Sequence, residues 1–229
     1  MIQGIPSIRT YHCDMKRYVA ELVGTGLIVF AVVGSGLMAT NLTSDQGLRL
    51  LINCVSTVLA LLISIFLFRD ISGAHFNPIV SLIAASRKSI STFEALIYII
   101  FQVVGALVAV AICNWSFGHP WLKISETDRS SSGAFVAEII ASAGLITIIF
   151  ARWLKTSQDF RAILIATWIA SAYFFTVSTS FANPAVSLGR VFTDSYAGIS
   201  PSSFGLFVSA QLLGGLLALG FLRVMESER

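Results

Sequence analysis

Two short motifs place asparagine before proline within apolar sequence. The first is HFNPIVSLIA (75–84) and the second is FANPAVSLGR (181–190). Asparagine is a favoured N-cap and proline suits the first turn of a helix, so each motif predicts the start of a short helix. The two asparagine amides would remain able to donate hydrogen bonds to a small molecule. These residues indicate recognition of a neutral polar solute.

Catalytic chemistry has little support in the sequence. His75 lies close to Ser72, but no Ser-His-carboxylate set and no Gly-x-Ser-x-Gly motif accompanies them. The three cysteines, Cys13, Cys54 and Cys113, have neither CxxC nor metal-ligand spacing. The sequence therefore predicts no catalytic residue, no metal site, no cofactor and no enzyme.

The composition points to a membrane protein. Of the 229 residues, 55% are hydrophobic and 12% are charged, and the mean hydropathy is +0.82. Soluble domains carry about 25% charged residues. No signal peptide is evident near the N-terminus, and nothing indicates a nucleic-acid partner. The lipid bilayer is the predicted environment.

Six apolar stretches are long enough to cross a bilayer, which takes about 20 residues. Two shorter stretches, 77–85 and 183–191, are too short to cross, and each begins with Asn-Pro. The six predicted spans are Tyr18–Thr40, Leu48–Phe68, Phe93–Trp115, Gly133–Leu154, Phe160–Ser180 and Phe204–Val224.

The chain repeats itself in order. NPIVSL recurs as NPAVSL, AELVGTG as AEIIASAG, and FQVVGALVA as AQLLGGLLA. Three spans in each half make this an inverted repeat, so the two short helices enter from opposite sides. The predicted organisation is an N-terminal cytoplasmic segment, a first repeat, an extracytoplasmic loop, a second repeat and a tail: 1–15, 16–115, 116–132, 133–225 and 226–229.

The distribution of basic residues predicts the orientation. If the N-terminus is cytoplasmic, eleven Lys and Arg residues fall on the inner side and four on the outer side. Basic residues favour the cytoplasmic side. We therefore expect a multi-pass protein of the cell's inner membrane with both termini in the cytoplasm.

Asn-Pro at membrane depth calls for a special environment. Non-helical chain is tolerated there only where it lines a water-filled cavity or is buried in protein. Two helix N-termini meeting at the midplane would disfavour cations. The carbonyls of the residues before each asparagine would line the same path: His75, Phe76, Phe181 and Ala182. The alternative is that Asn-Pro merely caps two buried helices in a structural bundle.

These residues resemble the aquaporin and aquaglyceroporin family, the major intrinsic proteins. SGAHFNP (72–78) is similar to the family's first pore loop, and NPAVS (183–187) to its second. The carboxylates Glu21 and Glu138 also fit. The resemblance implies an all-α, right-handed bundle of six spans and two re-entrant half-helices. It further implies passive flow through a homotetramer with one pore per subunit, and a pore centre at Asn77, Pro78, Ile79, Asn183, Pro184 and Ala185.

The resemblance also implies a second constriction, the selectivity filter, and here the sequence departs from the family. The fourth filter position is nearly always arginine and here is Val186. Ile79 stands where the family has alanine, and we expect it to pack behind the half-helix instead of facing the pore. Arg190 is not expected to replace the missing guanidinium. The implied filter residues are Thr57, Ser171, Ser180 and Val186.

A filter of small side chains without arginine predicts a wide opening. Glycerol, urea or uncharged metalloid hydroxides such as arsenite are then the expected solutes, with water also possible. Valine at the fourth position resembles a bacterial subgroup associated with arsenical permeation.

Two further interpretations stay open from the sequence. Glu21 and Glu138 either couple protons or bind substrate, or they accept hydrogen bonds from loop backbone as supports for the re-entrant segments. The whole protein could be a proton- or ion-coupled secondary transporter with inverted repeats, or a scaffold with a closed pore.

Overall fold

The computed structural model describes residues 15–227, which form eight helices and, within that range, no strand. The predicted N-terminal segment 1–15 lies outside the described residues apart from Met15. The helices are α1 Met15–Leu42, α2 Gln46–Ser72, α3 Pro78–Ser86, α4 Thr92–Ser116, α5 Ser132–Phe150, α6 Gln158–Phe175, α7 Pro184–Val191 and α8 Pro201–Glu226.

Five of the described helices are long and apolar enough to cross a membrane: α1, α2, α4, α5 and α8. The sixth predicted span is α6, which has only 18 residues. Its first turn contains Gln158, Asp159 and Arg161, so its apolar part is short. It ends at Phe175, five residues before the predicted end, and α5 ends at Phe150, four residues early.

Two helix crossings are equivalent in the two halves of the chain. A Cβ added to Gly105 of α4 would lie 2.2 Å from the Leu22 carbonyl oxygen of α1. A Cβ added to Gly214 of α8 would lie 2.6 Å from the Ile139 carbonyl oxygen of α5. Small residues at such crossings let membrane helices approach closely. These contacts hold α1 on α4 and α5 on α8, the two helix pairs that flank the re-entrant loops.

The short helices α3 and α7 join the two halves. Helix α3 packs against α4 of its own half and against α8 of the other. Helix α7 packs against α8 of its own half and against α1 and α4 of the other. The two also contact each other, so their N-termini meet inside the bundle.

Candidate pore and selectivity filter

The two Asn-Pro motifs begin the short helices and face each other. Asn77 and Asn183 are the N-caps of α3 and α7, and Pro78 and Pro184 occupy the first helical positions. Asn77 Nδ2 donates to the Ala182 carbonyl at 2.8 Å, while Asn183 Nδ2 donates to the Phe76 carbonyl at 2.8 Å. Each side-chain amide has two N–H groups, so one donor per asparagine remains for a solute.

The loops before the asparagines share an unusual backbone. Ala74 and Phe76 have positive φ angles of 53° and 50°, and Ser180 and Ala182 have 51° and 45°. These residues lie three and one positions before each asparagine. Left-handed backbone at residues other than glycine costs about 1–3 kcal/mol each and collects at functional sites. The same strained turn therefore occurs twice, once in each repeat.

Glu21 holds the first loop in this conformation. Its Oε1 accepts from the Ser72 hydroxyl at 2.6 Å and from the His75 backbone N–H at 2.9 Å. Its Oε2 accepts from the Phe76 backbone N–H at 2.6 Å and from Gln102 Nε2 at 2.8 Å. A buried carboxylate with four donors is fully engaged by the loop and its neighbours.

Glu138 holds the second loop in the same way. It accepts from the backbone N–H groups of Phe181 and Ala182 at 2.9 and 2.8 Å, and from Gln211 Nε2 at 2.7 Å. Glu138 and Glu21 are both fully buried. Neither lines the lumen described below. This geometry supports the loop-supporting interpretation of both carboxylates over proton coupling.

A cavity of about 360 Å³ runs past both asparagines. One end, here called the Arg69 end, is lined by Arg69, Phe150 and Arg161. The other, here called the Arg190 end, lies beyond Asn183 along α7. Its lining consists of Thr57, Tyr173, Ser180, Phe181, Val186 and Arg190.

Some of the residues predicted for the centre of the pore line this cavity and others do not. His75, Phe76, Asn77, Ala182 and Asn183 contact the cavity. The His75 ring is held by a 3.0 Å hydrogen bond between Nδ1 and the Ser81 hydroxyl. Pro78, Pro184 and Ala185 do not line it.

Ile79 packs behind α3. Its side chain is 2% exposed and belongs to an apolar cluster with Ile83, Ile146 and Leu222. A Cβ added to Gly215 of α8 would lie 2.7 Å from Ile79 Cγ2. The larger side chain therefore fills the space that a glycine leaves on α8, and it is absent from the cavity lining.

Three of the four predicted filter residues line the cavity, and one does not. Thr57, Ser180 and Val186 do, whereas Ser171 lies on an exposed face of α6. The lumen face of α6 includes Ile169 and Tyr173, four residues apart. Ser171 lies midway between them, about 200° around the helix from either, because each residue turns by about 100°. In this part of α6 the cavity is lined by Tyr173 and not by Ser171.

Arg190 follows Val186 by four residues, which is one turn further along α7. It lines the lumen although its side chain is only 2% exposed. Its Nε donates to the Ala197 carbonyl, and its Cζ lies 3.3 Å from the centre of the Phe181 ring. Positions four apart share a helix face, so the lumen position of Val186 was itself a signal for Arg190. The expectation that Arg190 does not replace the missing guanidinium stays a prediction, and the structure adds that the Arg190 side chain is part of the lumen lining.

Five helices long enough to cross a membrane, the shorter helix α6, two opposed half-helices and a lumen that runs past both asparagines together define a membrane channel. The chain belongs to the major intrinsic protein family, whose sequence model matches residues 8–177. The region that follows, with the second Asn-Pro motif, lies outside that match.

Relatives in sequence and a solved structure of similar fold agree with this family assignment. The chain is 41% identical over 208 residues to "Aquaglyceroporin AqpS" of Rhizobium meliloti (strain 1021), covering 91% of this chain and 89% of the relative. It is 28% identical over 227 residues to "Glycerol uptake facilitator protein-like 6" of Lactiplantibacillus plantarum, covering 93% and 100%. The fold resembles that of the aquaglyceroporin from Plasmodium falciparum, with a TM-score of 0.73, 22% identity and coverage of 93% and 98%.

The family and the geometry settle the class of function. The protein is a multi-pass membrane channel through which small uncharged solutes flow passively, and it is not an enzyme. The coupled transporter and the closed scaffold are therefore set aside.

Proposed function

We propose that the channel passes glycerol and trivalent metalloid hydroxides such as arsenite, with water as a further permeant. The observation that carries this proposal is the valine wall of the lumen. Val186 is 4% exposed and lines the cavity beside Ser180 and Thr57. A filter with one apolar wall and neighbouring hydroxyls suits a solute that has a carbon or metalloid face and several hydroxyl groups. Two relatives whose names refer to glycerol support the same solute class.

The hydroxyl groups of this filter have complementary roles. Thr57 donates its hydroxyl hydrogen to the Asn53 carbonyl at 2.7 Å, so its oxygen can accept from a solute. The Ser180 hydroxyl has no partner among the described residues and can donate or accept. The free amide hydrogens of Asn77 and Asn183 provide donors at the pore centre. A neutral polyhydroxy solute can exchange hydrogen bonds with each group in turn.

Comparative flux through purified protein tests the proposal. Proteoliposomes in a stopped-flow instrument are exposed to gradients of glycerol, arsenite and an impermeant osmolyte, and the three permeabilities are compared. We expect flux of both solutes well above that of empty liposomes. Flux of water alone would contradict the proposal.

Val186→Arg refines the test. The longer side chain narrows the lumen, so it lowers glycerol and arsenite flux by more than tenfold and water flux by less. Val186→Ala, which keeps the wall apolar and does not narrow the lumen, is the control and keeps wild-type flux of glycerol and arsenite. An equal loss for all solutes in Val186→Arg would mean that residue 186 does not discriminate between them.

We further propose that the channel is a homotetramer of the inner membrane with one pore per subunit and both termini in the cytoplasm. The resemblance and the basic-residue distribution support this assignment. Glu126→Cys and Lys155→Cys test the orientation, since both positions are exposed and lie on loops that the proposal places outside and inside. A membrane-impermeant thiol reagent applied to intact cells should label only Glu126→Cys. Native mass spectrometry should give four subunits.

Two repeats, 16–115 and 133–225, are proposed as the organisation of the chain. The paired carboxylates Glu21 and Glu138 and the paired glycines Gly105 and Gly214 support this division, because each pair makes the same kind of contact in its half.

A further inference from the structure

Three arginines line the lumen, and within residues 15–227 no Asp or Glu does. Arg69 forms an ion pair with Asp159. Arg161 donates to four backbone carbonyls between positions 148 and 154. Arg190 has no carboxylate within ion-pair distance among the described residues. In this part of the chain, Arg190 is therefore the lumen arginine that is neither paired nor used to cap a helix.

The Arg190 guanidinium is held in a fixed position, yet most of its N–H hydrogen-bond donors have no partner among the described residues. A guanidinium has five N–H groups. In the described residues it makes one hydrogen bond, from Nε to the Ala197 carbonyl, and its flat face rests on the Phe181 ring. Stacking on an aromatic face is favourable for arginine and fixes its plane. The four N–H groups on the two terminal nitrogens are available to the lumen.

A second observation points to a ligand at the same place. The Ser180 hydroxyl lines this end of the cavity, its residue is 4% exposed, and it has no hydrogen-bond partner among the described residues. A buried polar group without a partner is costly, so such a hydroxyl in a lumen indicates that a passing molecule satisfies it. Tyr173 lines the same end. Donors and acceptors thus converge where Arg190 lies.

The cavity also ends here. Its lining reaches Arg190 and Tyr173 but includes none of the described residues 117–131 or 192–200 of the loops beyond them. A permeating molecule has to pass this guanidinium and this phenol, and Val186 lies one helical turn before Arg190 on the same face of α7.

We propose that Arg190 is the specificity-determining cation of this channel, which excludes cations and protons and orients neutral solutes that carry two neighbouring oxygens. This proposal rests on the proposed function insofar as the lumen is the conducting path. The guanidinium repels cations directly, because in a narrow low-dielectric passage a fixed charge acts strongly. Its two terminal nitrogens present a planar fork that matches two vicinal oxygens.

Arg129 offers a matched control within the same molecule. Its Cζ lies 5.4 Å from the Phe181 ring centre, on the ring that Arg190 also contacts. It donates to the carbonyls of Gly198 and Tyr196 at 2.7 and 2.8 Å, next to the Ala197 carbonyl that Arg190 uses. Arg129 does not line the lumen. The two arginines therefore share a structural role, and only Arg190 is placed to act on permeants.

Measurements of proton leak separate the structural role that both arginines share from the proposed role of Arg190 in excluding protons. Proteoliposomes containing a pH-sensitive dye and an imposed potassium diffusion potential report proton entry. We expect Arg190→Met to raise proton leak at least tenfold, whereas Arg190→Lys, which keeps the charge, and Arg129→Met stay within about twofold of wild type. The proposal is overturned if Arg190→Met leaks no more than wild type, or if Arg129→Met leaks as much.

A labelling experiment tests the lumen position without depending on leak. Arg190→Cys is made in a Cys13→Ser background, where the remaining native cysteines, Cys54 and Cys113, are buried. N-ethylmaleimide should modify residue 190 in the folded protein and reduce solute flux more than tenfold. Protection of residue 190 equal to that of the native cysteines would overturn the proposal. Absence of glycerol and arsenite flux in wild type would refute the proposed function instead, while leak and labelling still report on Arg190.

Discussion

Replacement of Glu138 by leucine removes the support of the second re-entrant loop. Glu138 is fully buried and accepts hydrogen bonds from Phe181 N–H, Ala182 N–H and Gln211 Nε2. Leucine has a similar volume and no acceptor. The two backbone N–H groups then lie in the bundle interior without partners, whereas Gln211 keeps its 3.1 Å bond to the Ser187 hydroxyl.

The loss can be estimated from these contacts. A buried donor left without a partner costs about 1–3 kcal/mol, so the two N–H groups together cost about 2–6 kcal/mol. The left-handed backbone at Ala182, with φ of 45°, adds strain that the carboxylate no longer opposes. Removal of a buried charge offsets part of this cost, which favours the lower half of the range. Glu138→Gln keeps one acceptor oxygen and should lose about half as much.

Two measurements check this prediction. Thermal unfolding of the detergent-solubilised protein should rank wild type above Glu138→Gln and Glu138→Leu below both. Glycerol flux should fall more than tenfold in Glu138→Leu, since the loop positions the Asn183 amide and the carbonyls beside it. Glu126→Gln, on an exposed loop position, is the control and should match wild type. If Glu138→Leu unfolds and conducts like wild type, the hydrogen bonds do not hold the loop and the reasoning fails.

Three further predictions follow from particular contacts. Gly24→Ala should lower both the unfolding temperature and solute flux, because the added Cβ would lie 2.1 Å from the Phe76 ring. Thermal unfolding and flux assays of the purified variant check this, and wild-type values in both would contradict it. Tyr173→Phe should change the ratio of glycerol flux to water flux, whereas Ser171→Ala should leave this ratio within about twofold of wild type, because of these two residues only Tyr173 lines the lumen. The reverse result would support Ser171 as the filter residue, as the sequence predicted. Arg161→Met should destabilise the protein by about 2–4 kcal/mol, because the backbone carbonyls at and just after the end of α5 lose their hydrogen-bond donor. Chemical unfolding measures this loss, and an unchanged unfolding midpoint would refute the prediction.

Much of the pore centre could be predicted from the sequence because local rules decide it. Asn77 and Asn183 precede proline, and an asparagine N-cap with proline in the first turn starts a helix in almost any setting. The repeat order then predicts that the two starts oppose each other. The interpretation of Glu21 and Glu138 as loop supports rested on the same symmetry, and their hydrogen bonds agree with it.

The filter could not be predicted to the same degree, because it depends on helix phase and on contacts between distant segments. Ser171 was assigned by counting back from Asn183, yet α6 ends at Phe175 and turns Tyr173 to the lumen instead. The spacing from Val186 places Arg190 one turn further along α7, but the sequence does not show which contacts hold its long side chain at the lumen.

The sequence by itself determined the membrane class, the duplicated plan and the two helix starts, since apolar length, repeat order and capping are local properties of the chain. The tertiary structure decided which charge faces the solute. The Ala197 carbonyl and the Phe181 ring lie on either side of Arg190 along the chain but meet it only after folding. Their contacts hold a buried guanidinium at the lumen, and that placement depends on how the chain before and after α7 folds back onto this helix.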